Sequence, residues 1–192
     1  MFFRIKKIKG REYVYRVENK WYTTTKSVGT LQGSDMRVSS FSELAHNSQP
    51  RGSRQKVKGY VGSAYRFDLK NNADFMQFMK IENIEMYIYN NKKNSIIRDL
   101  IEWEFFKFGI NKEEFLIDMN NSTIQKKKKN VALLINDGFM CNLTLKNLLE
   151  FKPEGDEETD GYHLARAFVE GGIKIPEEIF VGLFGKLYSK PI

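Results

Sequence analysis

Apolar and charged side chains alternate with a two-residue period in residues 2–17 and again in 54–67, whereas from about residue 94 apolar residues recur three and four apart. The first period sends successive side chains to opposite faces of a strand; the second builds one face of a helix. The chain is therefore expected to open as β structure and to continue as a mixture of strands and helices. This predicts an α+β fold: a small basic antiparallel β module over 1–69, then a compact α+β module over 70–192 that ends in helices.

In "FFRIKKIKG" Phe3 and Ile5 fall on one face and Arg4 and Lys6 on the other, with Gly10 breaking the run. "REYVYRVEN" is rich in β-branched and aromatic residues, which favour a half-buried pleated surface. Tyr13, Tyr15 and Val17 share one face of it, and Val14 and Arg16 the other. The third strand, "RQKVKGYVGSAYRF", is expected to carry Arg54, Lys56, Lys58 and Tyr60 in one row, with Val57 and Val61 opposite. Between the second and third strands, residues 22–53 are poor in apolar side chains and are read as a long, mobile hairpin loop. A short helix after Ser39 or Ser40 would use Phe41 and Leu44.

Further on, "ADFMQFMKIENIEMYIYN" is read as a helix followed by a turn or strand. "NSIIRDLIEWEFFKFG" has the clearest helical spacing, through Ile97, Leu100, Ile101, Glu104, Phe105 and Phe108. Asn94 or Ser95 is its expected N-cap and Gly109 its expected end. "FLIDM" and "NVALLIND" are read as buried strands, separated by "NNSTIQKKKK" and followed by an Asn-Asp-Gly turn. Thr144 is the expected cap of "LKNLLEF", "FKPEGDEETDG" an acidic loop, and "YHLARAFVEGG" a helix stopped by its glycine pair. Pro176 is placed to open a last helix.

The net charge of +7 is uneven: residues 1–70 hold 15 Lys/Arg against 5 Asp/Glu, and the remainder 16 against 19. A basic segment joined to a mildly acidic one suggests a polyanion partner for the first. One cysteine, Cys141, excludes an internal disulfide, and two histidines, His46 and His163, exclude a multi-histidine metal centre. Charges interrupt the apolar run at the N-terminus and no later run is long enough to span a bilayer. The reading is a cytoplasmic protein with no membrane partner, no cofactor and no bound metal.

Nucleic acid is the expected partner, DNA or RNA. Arg4, Lys6, Arg16, Arg54, Lys56, Lys58 and Arg66 would form one cationic sheet face, with Lys7, Lys9 and Arg11 at its edge. Such side chains neutralise phosphates, and Tyr13, Tyr15, Trp21 and Tyr60 would stack on unpaired bases or pack beneath the charges. The competing explanation is a lysine-rich solvated face that protects a sheet edge. Lys126–Lys129 form a second basic cluster, read first as a solvated turn and second as a phosphate contact.

Gly10, Tyr13, Tyr15, Val17, Glu18 and Asn19, followed by Arg54, Gln55, Lys56, Val57, Tyr60 and Gly62, resemble the two N-terminal strands of some DDE-type insertion-sequence transposases. The opening is also similar to that of short proteins from archaeal genomes. The resemblance covers about 20 of the 192 residues and implies a DNA-handling element. It does not extend to a catalytic domain: the intervening loop is much longer here and the remaining chain too short, with no convincing trio of carboxylates.

A metal-dependent nuclease is the third function the sequence offers. Its helix-strand-strand order would recruit Glu102 or Glu104, Asp118 and Asp137 around Mg²⁺. The lysine such sites need is missing, since Gly138 and Phe139 follow Asp137. His163 lacks a nucleophile partner, Cys141 reads as a buried thiol, and Phe106 lies off the main helical stripe, its second reading after core being a partner contact. The leading expectation is a non-enzymatic nucleic-acid-binding protein. The rival is an interaction protein that binds a protein partner, including one within a ribonucleoprotein, through the C-terminal module and its acidic stretch.

Overall fold

The structure, a computed structural model, describes residues 2–21 and 53–188, without the side chains of residues 21, 53 and 54. The expected extension, with the helix proposed around Phe41 and Leu44, lies outside the described residues except for Ser53. The fold is α+β. Strands β1 (Phe2–Ile8), β2 (Arg11–Trp21) and β3 (Ser53–Arg66) form an antiparallel meander. Helices α1 (Phe75–Met79), α2 (Ile84–Asn90) and α3 (Lys93–Phe108) follow. Next come β4 (Leu116–Asp118), β5 (Thr123–Lys126), β6 (Lys129–Ile135) and β7 (Gly138–Met140). Helices α4 (Asn142–Leu149), α5 (Glu157–Gly171) and α6 (Glu177–Tyr188) close the described chain.

The two expected segments share one sheet, in the order β1-β2-β3-β6-β5-β4, with β7 paired to β6 outside that path. The join is parallel: Ser63–Arg66 of β3 run beside Val131–Leu134 of β6. Gly62 makes the close approach possible, because a Cβ there would lie 2.6 Å from the Asn130 carbonyl oxygen. β6 is apolar on both sides, as befits a strand covered on both faces. Val131, Leu133 and Ile135 enter the main core with Leu100 and Phe105 of α3, Leu148 of α4, Phe168 of α5 and Ile179 of α6. Ala132 and Leu134 enter a smaller core with Val14, Phe3, Ile5, Val61, Phe139 and Leu143.

Local sequence explains most element ends. Gly109 and Gly172 terminate α3 and α5 in the left-handed conformation that glycine adopts without a Cβ penalty. Phe180 N–H donates to the Pro176 carbonyl in the first turn of α6. Asn136 and Asp137 form the turn between β6 and β7.

Several expectations are corrected. α3 starts at Lys93 with Lys92 as N-cap, ahead of Asn94 and Ser95. Lys93 instead sends its ammonium to the carbonyls of Leu149 and Phe151, closing the C-terminal end of α4. Thr144 is not the cap of α4: Cys141 is, and the Thr144 hydroxyl accepts from the Cys141 N–H at 3.0 Å and donates to the Phe139 carbonyl at 2.7 Å. Lys80 ends α1 in a left-handed conformation, and residues 84–90 fold as the separate helix α2, capped by the Asn83 side chain, where a turn or strand was expected. β4 is a short strand with Leu116 exposed rather than buried. The segment read as a separator supplies β5. The acidic loop is half helix, since Asp156 caps α5 and the chain is helical from Glu157. Glu104, in register with the apolar stripe of α3, is fully buried and ion-paired to Lys107.

Candidate nucleic-acid interface

The pairing of β1 with β2 is unbroken, so alternation along β2 assigns faces directly. Opposed residues in an antiparallel pair project to the same side. Arg4 faces Tyr15 and Lys6 faces Tyr13; on the other side Phe3 faces Arg16, Ile5 faces Val14 and Lys7 faces Glu12.

β3 does not keep its two-residue period. Its register against β2 shifts between Val14 and Tyr15 and again between Arg16 and Val17, leaving Val61 and Lys58 as extra residues. Tyr60 is opposite Tyr15 and Val57 opposite Val17, whereas Lys56 is opposite Glu18. A bulge inserts one residue and inverts the phase of those that follow. The single row expected of Arg54, Lys56, Lys58 and Tyr60 is therefore split. Tyr60 joins Arg4, Lys6, Tyr13 and Tyr15 on one face. Lys56 and Lys58 join Lys7, Arg16, Glu12 and Glu18 on the other.

The tyrosine face is continuous. Tyr60 ring lies 6.2 Å from Tyr13 and 5.6 Å from Tyr15, centroid to centroid. Lys6 Nζ sits 5.1 Å from the Tyr15 ring centroid, and Arg4 Nη1 donates to Gln55 Oε1 at 2.8 Å. Tyr60 is 56% exposed, and Tyr13, Tyr15 and Tyr60 belong to neither core.

The parallel join of β3 to β6 brings the second basic cluster alongside. Tyr13, Tyr60, Ser63 and Tyr65 line a depression of ≈ 850 Å³ whose walls include Arg11, Lys126, Lys127 and Lys129. Lys126 Nζ lies 4.5 Å from the Tyr65 ring centroid and 4.9 Å from that of Phe115, and it is ion-paired to Glu114. Arg11, Lys127 and Lys129 have no ion-pair partner among the described residues.

The turn that carries this cluster is unusual in its residues. Lys126 pairs with Lys129 across a two-residue loop, and Lys127 and Lys128 both have positive φ, 49° and 62°. This is type I′ geometry, which favours Asn-Gly and is disfavoured for residues with long side chains. Lys9 (φ 49°) and Gly10 (φ 78°) make the equivalent turn between β1 and β2.

The remaining expected cations lie elsewhere. Arg66 borders the depression with its guanidinium held by Glu12, Nε to Oε2 at 2.8 Å. Lys58 is paired to Glu18 at 2.6 Å. Hydrogen bonds from Arg66 and Lys58 hold the Glu12 and Glu18 carboxyls below the usual carboxylate range. Arg16 is half-buried and opens onto a separate depression beside Leu143 and His163. Lys7, Lys9 and Lys56 are exposed, and the Arg54 and Trp21 side chains lie outside the described residues.

The carboxylates weighed for a nuclease are engaged separately. Glu104 accepts from Lys107 Nζ at 3.1 Å, the Lys174 N–H at 2.9 Å and Asn136 Nδ2 at 3.2 Å. Glu102 pairs with Lys112, Asp118 accepts from the backbone N–H groups of Asn120 and Asn121, and Asp137 sits in the β6–β7 turn. No group of three His, Cys, Asp or Glu side chains that could hold a metal ion occurs among the described residues. Burial pushes the Cys141 thiol up, so it is protonated at neutral pH. No described helix is long and apolar enough to cross a membrane.

Compared with protein-family models, curated proteins and solved structures, the chain matches none.

Tyr65 is the member of this surface that no sequence pattern singled out, and the Lys126–Lys129 cluster reads from sequence first as a solvated turn and only second as a phosphate contact. The lysines were visible as a cluster; their position beside the tyrosines depends on a parallel pairing between distant segments, which no local pattern encodes.

Proposed function

We propose that this protein binds nucleic acid, without catalysing a reaction on it, through the tyrosine face of β1–β3 and the lysine turn between β5 and β6. The observation that carries this reading is the shared depression, in which Tyr13 and Tyr60, members of neither core, lie beside Arg11, Lys127 and Lys129, which have no ion-pair partner among the described residues. Phosphates satisfy the lysines and arginines, releasing condensed counterions from the nucleic acid, while the tyrosines supply apolar planar surface. The turn adds a second argument. Two lysines occupy backbone positions better suited to asparagine and glycine, and a broken local rule of this kind is most common where function requires the side chain.

A charge-matched comparison tests the placement. Lys6, Lys127 and Lys129 changed together to Gln remove three charges from the proposed surface; Lys7, Lys56 and Lys58 changed to Gln remove three from the opposite face. The first set is expected to weaken nucleic-acid binding by about tenfold or more and to flatten its salt dependence, with the second changing it little. Equal losses in the two sets would show attraction to net charge alone and contradict the assigned surface.

A further inference from the structure

We infer that the ligand of this face is a single strand, its unpaired bases stacking on Tyr60 and its phosphates running along the lysine turn. The inference rests on the nucleic-acid reading above and specifies the form of the polymer.

Tyrosine geometry is the first argument. A duplex hides the faces of its bases and offers phosphates and base edges. A surface that met only these would need cations and amides, and exposed aromatic rings would add little. Here three tyrosines stand together outside both cores, with Tyr60 at the centre, in contact with both others and more than half exposed. Every base has a π-face, so ring stacking serves a single strand of any sequence.

Charge placement is the second. Lys6 lies over Tyr15 and Lys126 over Tyr65, so cations are set beside ring surfaces rather than in a separate patch. A strand whose bases rest on Tyr13 and Tyr60 carries its backbone past Lys127 and Lys129 on the wall of the same depression, with Lys6 beside Tyr15 next to it and Lys126 held by Glu114. Ser63, opposite Tyr13, keeps the floor between Tyr13 and Tyr65 low. DNA and RNA single strands share this chemistry; a preference for RNA would require contacts to the 2′-hydroxyl.

The test uses the full chain at one fixed salt concentration. Fluorescence anisotropy is measured with labelled oligothymidylate, oligouridylate and a mixed-sequence duplex, each about 12 nucleotides long. At least one single strand is expected to bind about tenfold more tightly than the duplex, and the ratio of the two single strands separates DNA from RNA as the source. Tyr60→Ala is expected to lose about tenfold on the single strand, with Tyr60→Phe close to the parent. Tyr60→Leu retains apolar bulk in the strand and is expected to behave like Tyr60→Ala, which separates loss of the ring from loss of structure. Duplex binding as tight as single-strand binding, or a Tyr60→Leu variant that binds like the parent, overturns the single-strand inference and leaves the nucleic-acid reading standing. Failure of all three probes to bind overturns both.

Discussion

Two buried carboxylates show how single residues hold the helical part of the fold together. Glu104 stands in the apolar stripe of α3 and ties Lys107, the backbone of Lys174 and the Asn136 turn to one point. Lys107 is itself buried, with its ammonium 3.8 Å from the Trp103 ring centroid. Glu104→Ala would strand this cation and is expected to cost about 3–5 kcal/mol in urea unfolding. Asp160 accepts from the Tyr188 hydroxyl and from the N–H groups of Glu154 and Gly155, joining α6 to the start of α5. The hydrogen bond from Tyr188, then those from Glu154 and Gly155, hold its carboxyl below the ordinary aspartate range. A carboxyl depressed in the folded state stabilises fully above its unfolded pKa, and that stability is lost as pH falls through the folded value. Asp160→Asn is therefore expected to lower the thermal midpoint at neutral pH and to make its decline in acid shallower, as read from unfolding curves across that range. The spacing of α3 showed that Glu104 faces inward; nothing local announced Asp160, whose partners Glu154 and Gly155 belong to a stretch that reads as a plain acidic loop.

The element on which the proposed function most depends is the β5–β6 hairpin. Its two left-handed lysines are strained relative to the residues such a turn prefers. The double change Lys127→Asn, Lys128→Gly is expected to raise stability by about 1 kcal/mol and to reduce the salt slope of nucleic-acid binding by about one unit. A chemical-denaturation curve and a salt titration on the same variant read the two effects; a loss of stability would contradict the account of the turn. β3 makes the complementary point about reading faces from sequence. Its alternation is real at each end, but the extra residues Lys58 and Val61 reset the phase between them, so Tyr60 lies on the face opposite Lys56. β1 and β2 lack such shifts against each other, so the alternation within each strand was legible, but their pairing sets Arg16 opposite Phe3 and so on the face away from Arg4 and Lys6, with which it was expected to share a row.

At the scale of the molecule, the α+β class followed from the change of period, because each period is a local property. The union of the two segments is not local. β3 finds β6 across more than sixty residues, and Val14, Val61 and Ala64 share a small core with Leu134, Phe139 and Leu143. Residues 1–69 taken alone would expose that core and leave an edge of β3 unpaired, so the proposed binding is to be tested on the whole chain. The proposed interface is likewise a property of the assembled sheet: its tyrosines come from β2 and β3 and its turn lysines from the β5–β6 hairpin. The most direct test is the affinity of the full chain for a single-stranded oligonucleotide across a salt series. Neutralisation of about four phosphates predicts a log–log slope of about −3. A slope near zero, or no binding at physiological salt, would contradict the account.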